Sequence, residues 1–343
     1  MIMGRGYEQQ DLLALALMRV GFLRPKERLL LYELLESGEH FSRLTGETLT
    51  GLVGRNLKLK VFQPEIYLKQ AEEDQKYLTL RNIQCTFYYN KDYPALLKTI
   101  YDPPLVLYYR GNLNLNETHT VAVVGTRTPD KAAGKAAYKF GFECADAGVP
   151  VISGLARGID REVHQGCVDN KGRAVAILGS GVDCVYPVTN RRLAESILMN
   201  DGAIASEYPP GTPPAKYHFP ARNRIISGLS DAVVIVQAPE RSGALITADY
   251  ALEQGRDLVV HETGVEGIVS AGSRALVQDG ARVVSSCDNL YSDVQKAESA
   301  GNLNDIFQRA VNQNGTIQEM NQLIEMEIQE KIVVKNGEYY WRN

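Results

Sequence analysis

An α/β fold, doubly wound around a mostly parallel sheet, is what the sequence predicts, and three observations predict it. Short apolar runs rich in β-branched residues and alanine recur at 121–124, 149–152, 174–178, 203–205, 232–236, 257–260 and 281–284. Each run is continuous rather than alternating, the pattern of strands buried on both faces. Amphipathic stretches separate them and provide the helical crossovers that parallel strands need. The domain expected over residues 76–290 is thus an extended Rossmann-like one, with right-handed crossovers.

The flanks read differently. Residues 1–75 give a small helical module. Leu12, Leu13, Leu15, Ala16 and Met18 mark one apolar helix, and Leu29, Leu30, Tyr32, Leu34 and Leu35 mark another. Gly21, Gly38, Gly46, Gly51 and Gly54 punctuate it, and Pro94, Pro103 and Pro104 bracket a lead-in segment to the sheet. Residues 291–343 are expected to hold a polar linker (292–304), one or two short helices (306–328) and a hairpin. The hairpin signal is Asn336-Gly337 between β-prone runs. Helices followed by a hairpin suggest a short winged-helix-like remnant.

Composition bounds the function. The chain has 343 residues, 44% hydrophobic and 23% charged content and a formal net charge of -4. Such a balance is ordinary for a soluble globular protein, and it restricts any nucleic-acid site to a local patch. Five scattered cysteines, never in a C-x-x-C pair, point to reduced thiols in a cytoplasmic protein, with neither disulfides nor a zinc site. No apolar run approaches the ~18 residues of a membrane span. The apolar stretch 12–18 is flanked by Glu8, Asp11 and Arg19 and lacks a small-x-small cleavage site, so it reads as a buried helix rather than a signal peptide.

Ligands on parallel sheets bind beyond the carboxyl ends of the strands. The residues after the first run are Gly125-Thr126-Arg127, and after the second they are Ser153-Gly154-Leu155-Ala156-Arg157-Gly158-Ile159-Asp160. Gly179-Ser180-Gly181 follows the third, and Arg241-Ser242-Gly243 precedes a helix. Glycines admit close backbone approach, helix N-termini attract anions, and hydroxyls and guanidiniums complete phosphate-type coordination.

Between Lys216 and Ser230 the chain carries Lys216, Arg222 and Arg224, no acid, and the rings of Tyr217 and Phe219. Cations at loop positions beside stacking rings are what a single-stranded nucleic-acid site needs. The candidate binding residues are Gly125, Thr126, Arg127, Ser153, Gly154, Arg157, Gly158, Lys216, Phe219, Arg222, Asn223, Arg224, Ser242 and Gly243.

Catalytic and cofactor signals are weaker. The fingerprint G-x-G-x-x-G is missing after the first run, and so are the P-loop, the H-E-x-x-H pattern and the G-x-S-x-G elbow. No catalytic residue, metal or cofactor is expected. Asp160 and His164 lie at i and i+4, which fits a catalytic dyad or, preferably, a turn anchor beside a packing histidine. Glu207 is either a general base or a buried carboxylate holding Arg222 or Arg224.

The order of these motifs resembles the DNA-processing protein A family (DprA/Smf) over roughly residues 90–285. The resemblance rests on Ser153 to Asp160 with His164, Gly181-Val-Asp183, Tyr186-Pro187, Asn190, Ser206-Glu207, the run from Phe219 to Leu229, and Ser242-Gly243 with Thr247. It implies a dimeric protein without turnover. Such a protein binds and protects single-stranded DNA and loads the RecA recombinase during natural transformation, with DNA contacts at Arg127, Lys216 and Phe219. Three departures stand out: His261-Glu-Thr-Gly replaces the usual Pro-Gly turn, Gln237 stands where an acid is common, and the C-terminal module is short. The competing class is a Rossmann-type nucleotide sensor or phosphoribohydrolase. Its P-G-G-x-G-T-x-x-E motif corresponds here to Arg241 through Asp249, without the Gly-Gly pair and with Ala248 after the threonine.

Overall fold

The structure is a computed structural model. It describes residues 9–290, except 60 and 117, and the backbone of two strands at 332–335 and 338–341.

Five helices come first: α1 (Gln9–Arg19), α2 (Pro25–Leu34), α3 (Gly38–Ser42), α4 (Gly46–Val53) and α5 (Pro64–Leu80). Leu13 through Leu17 are all fully buried, so α1 is the central rod of this cluster rather than an amphipathic surface helix. Arg19 at its end is bound by both carboxylate oxygens of Asp74 on α5. Ser37 and Thr45 cap α3 and α4 by accepting from His40 N and Thr48 N.

The sheet follows, with β1 (Gln84–Phe87), α6 (Ala95–Lys98), β2 (Val106–Gly111), β3 (Val121–Val124), α7 (Lys131–Asp146), β4 (Val151–Ser153), α8 (Ile159–Asp169) and β5 (Ala174–Ile177). It continues through α9 (Arg191–Met199), β6 (Ala203–Ser206), α10 (His218–Gly228), β7 (Ala232–Ile235), α11 (Gly243–Glu253), β8 (Asp257–His261), α12 (Ala271–Gln278) and β9 (Arg282–Val284). Nine strands form one sheet in the order β1-β2-β6-β5-β4-β3-β7-β8-β9. All seven apolar runs are strands, and β3 to β9 pair in parallel. The mostly parallel, doubly wound sheet is therefore present.

Two strands were not expected. β1 and β2 pair antiparallel with each other, and β2 pairs antiparallel with β6. Their inner residues, including Phe87, Val106 and Tyr108, share one core with the N-terminal helices. A second core lies around β3 to β8 and α10.

The topology places a crevice. β3 is flanked by β4 on one side and β7 on the other, so the winding reverses at β3. Beyond the carboxyl ends of β3 and β7 the following loops diverge to opposite faces and leave a groove.

Among the described residues no helix is long and apolar enough to cross a membrane. The chain divides into compact units at 1–286 and 287–343. In the second unit β10 (Ile332–Lys335) and β11 (Glu338–Trp341) pair antiparallel, with Lys335 opposite Glu338 across Asn336-Gly337, as the hairpin signal implied. The expected linker at 292–304 and helices at 306–328 lie outside the described residues.

Candidate nucleic-acid interface

The crevice at the β3/β7 switch is a cleft of ≈ 370 Å³. Its first wall is the turn Gly125-Thr126-Arg127. Thr126 N donates to the Gln237 carbonyl (2.8 Å), and Ile159 N donates to the Thr126 carbonyl (3.2 Å). The turn is thereby pinned between the loop after β7 and the start of α8. Gly158 has φ +76, and a Cβ there would lie 2.3 Å from the Thr126 carbonyl oxygen. Only glycine lets the two turns approach so closely. Arg127 is left exposed, its guanidinium 5.6 Å from the centroid of the Phe219 ring.

The second wall is α10. The segment read as a loop is helical from His218 onward, and this decides which of its cations face the cleft. Lys216, just before the helix, is exposed. Phe219 is half-buried, close over Gly179, where a Cβ would stand 2.9 Å from the ring, and it lies 5.7 Å from the Tyr186 ring. Arg222 lies at the floor, where Nη1 donates to the carbonyls of Gly154 (2.9 Å) and Ile177. Asp160 shares that floor and accepts from Ala156 N (3.4 Å). Burial raises the Asp160 carboxyl above its usual range, against the pull of the Arg222 charge.

The third wall is the start of α11. Ser242 caps the helix by accepting from Ala244 N (3.2 Å), and Asn223 Nδ2 donates to the Gly243 carbonyl (3.0 Å), tying α10 to α11. The rim thus carries the exposed cations Arg127, Lys216 and Arg241. Among the described residues Asp160 is the only carboxylate lining the cleft.

Nine of the expected residues meet there: Gly125, Thr126, Arg127, Lys216, Phe219, Arg222, Asn223, Ser242 and Gly243. Gly154 and Gly158 sit beneath the lining and shape it. Arg157 is exposed on its turn but does not line the cleft. Ser153 and Arg224 do not line the cleft. Ser153 Oγ is fully buried and donates to the Val123 carbonyl (2.6 Å). Arg224 points into the protein, where Nη2 meets Glu207 Oε1 at 2.8 Å and Nε meets Asp102 Oδ2 at 3.0 Å. Burial opposes its charge, but those two carboxylates outweigh burial and raise the Arg224 pKa. Glu207 is therefore a buried ion-pair partner, of Arg224 rather than Arg222.

His164 is fully buried, and burial pushes it down to about 3. It packs as a neutral ring, and neither of its nitrogens hydrogen-bonds Asp160. Gln237 also finds a reason. Its amide donates to Asp130 Oδ2 (2.6 Å) and accepts from Asp130 N (3.1 Å). An acid at 237 would face the Asp130 carboxylate at this depth. Arg241, read in the turn before α11 but not among the candidate binding residues, also lines the cleft.

Comparison with known proteins agrees with this architecture. The DNA recombination-mediator protein A family matches residues 84–295. The DNA processing protein DprA of Streptococcus pneumoniae is 41% identical over 203 residues, which are 59% of this chain and 71% of that protein. Protein Smf of Synechocystis is 42% identical over 207 residues, 59% of this chain; the match spans about half of that relative's length, 52%. The crystal structure of the pneumococcal protein aligns with a TM-score of 0.67 and 31% identity, covering 84% of this chain and 98% of that one. A structure of DNA processing protein A from Helicobacter pylori, concerned with that protein's single-stranded DNA binding mode, aligns with a TM-score of 0.56 and 28% identity over 62% of this chain and 97% of that one. With the matched segment spanning the whole switch-point cleft and most of the sheet, the chain belongs to the DNA recombination-mediator protein A family.

Proposed function

We propose that the chain binds single-stranded DNA in the cleft at the carboxyl ends of β3 and β7, protects it, and delivers it to the RecA recombinase in transformation and recombination. In this reading it works as a homodimer and turns nothing over. The observation that carries it is the rim. Three exposed cations surround one half-exposed ring, and the lone carboxylate lies on the floor beside Arg222. Exposed cations neutralise phosphates while a ring receives a base, and neither requires a particular sequence. The likeness to the Helicobacter protein supports the same ligand.

The phosphoribohydrolase reading needs an acid poised in the cleft for N-glycosidic cleavage. Here the acid that ends the comparable turn, Asp249, is exposed and does not line the cleft. The cleft's one carboxylate among the described residues, Asp160, lies on the floor beside Arg222. No release of free base from nucleoside monophosphates is expected. Release proportional to protein concentration would restore the enzymatic reading.

The deciding experiment is titration of labelled single- and double-stranded oligonucleotides at two salt concentrations. Each phosphate neutralised in a single strand adds roughly -0.7 to the log–log salt slope, so three rim cations predict roughly -2. Equal affinity for duplex, or a flat salt response, sinks the proposal. Sedimentation with and without the recombinase tests the dimer and the hand-over.

A further inference from the structure

α10 has a second lined face. Phe219, Arg222, Asn223 and Ile226 turn toward the cleft just described, whereas His218, Ala221 and Arg224 turn toward a separate hollow of ≈ 410 Å³. That hollow is closed by the end of α1, the start of α2 and the loop after β6.

Its walls are aromatic. The Tyr208 ring stacks on His218 with centroids 3.9 Å apart, and Tyr217 meets His218 edge-on at 4.6 Å. Tyr217 stands on the rim, 74% exposed, and Tyr250 contributes a further ring. Charged and polar groups stand among these rings. Arg28 Nε is buried without a hydrogen-bond partner. Glu207 uses Oε1 for Arg224, and its other oxygen takes no hydrogen bond among the described residues. One acceptor therefore remains open among stacked rings, and one donor, closed off from solvent, lacks a partner.

The charges nearly cancel. Arg28 and Arg224 face Asp102 and Glu207, and Arg19 is already paired with Asp74. A cation would meet the Arg28 guanidinium, which has no ion pair among the described residues, and an anion would meet the two carboxylates. A flat, neutral ring with donors and acceptors along its edge satisfies both the walls and the open acceptor, and that is the chemistry of a nucleobase.

We propose that this hollow is a second base-binding subsite, reached by the strand that crosses the front cleft. The inference rests on the single-stranded DNA reading, and chain continuity supports it. Lys216 lines the front cleft and Tyr217, the next residue, lines the rear hollow. A strand leaving Lys216 meets Tyr217 next.

The test uses the full chain and a length series of labelled single-stranded oligonucleotides, with melting curves to confirm folding. Tyr217→Ala and Arg28→Met are expected to weaken long oligonucleotides about tenfold, within what one stacked base contributes. The shortest oligonucleotides, which fill only the front cleft, should be unaffected. Tyr217→Trp should retain binding, and Lys216→Ala should weaken every length. Wild-type affinity at every length for both Tyr217→Ala and Arg28→Met, with Lys216→Ala still impaired, overturns the subsite and leaves the DNA reading intact. If Arg28→Met fails to fold, Tyr217→Ala decides alone. If the wild-type chain binds no single strand, the DNA reading fails, and ligand-detected NMR with adenosine and guanosine judges the hollow. A signal lost in Tyr217→Ala assigns it to free nucleosides, and no signal overturns it.

Discussion

Lys216 and Phe219 lie three residues apart and face the same cleft, yet they offer a ligand different things. The Lys216 ammonium is exposed at the rim, so Lys216→Ala is expected to weaken single-strand binding for every sequence and to flatten the salt slope by roughly 0.7. Phe219 presents one side of a half-buried ring whose other side closes over Gly179. Phe219→Ala should cost about 1–3 kcal/mol of binding with the slope nearly unchanged. Titration and melting of both variants decide the matter, because a binding loss that merely tracks a fallen melting temperature would make Phe219 a plug. Arg222 and Arg224 show where reading single residues fails. They are two positions apart, alike in chemistry and both deeply buried, at 4% and 2% exposure. On a helix two positions differ by about 200°. Arg222 therefore reaches the cleft floor and Arg224 the Glu207 side, a distinction invisible while the segment is read as a loop.

At the scale of elements, β3 to β7 were legible because each is a short apolar run buried on both faces. The turn residues followed from them, since the carboxyl ends of β3, β4 and β7 are where such sheets bind. β1 was not legible because it is a four-residue edge strand, Gln84–Phe87, graded from exposed to buried, with no continuous apolar run. β2 lies inside the sheet, and its run at 105–109 is apolar and mostly buried. It directly follows Pro103-Pro104 and ends in exposed Arg110 and Gly111, so in the sequence it reads as part of the lead-in segment. The turn that holds Arg127 gives a test at the same scale. Gly158 is required both by its positive φ and by the 2.3 Å approach that a Cβ would make to the Thr126 carbonyl. Gly158→Ala is expected to destabilise the chain by about 1–3 kcal/mol in denaturant unfolding. It should also displace Arg127 and lower the salt slope of binding. An unchanged midpoint and slope would mean that the turn is not the rigid mount described here.

For the whole molecule, the buried apolar side chains among the described residues run from Leu13 to Leu290. Removing residues 293–343 should therefore leave cooperative unfolding intact, and a truncated chain that melts without a transition would show that the tail belongs to the core. The pH response is also a property of the whole, because it sums groups in different parts of the fold. His164 is fully buried and pushed down to about 3 by burial, and burial also lowers His218 and His261. Unfolded, each titrates near 6.5. Below that pH the unfolded chain takes up protons that the folded chain refuses, so the unfolded state binds more and stability falls as pH falls. His164 alone sets a slope approaching about 1.4 kcal/mol per pH unit between roughly pH 6 and 4. Asp160 and Asp102 act in the opposite sense, since burial raises both carboxyls and the folded chain then takes up protons first. Their contribution begins at the raised folded values, above the ordinary carboxylate range near 4, and partly offsets that of the histidines. Denaturant unfolding from pH 7.5 down to 5 should thus show steadily falling stability. In His164→Leu that slope should be shallower by close to one proton's worth, and an undiminished slope would show that His164 is already protonated inside the fold.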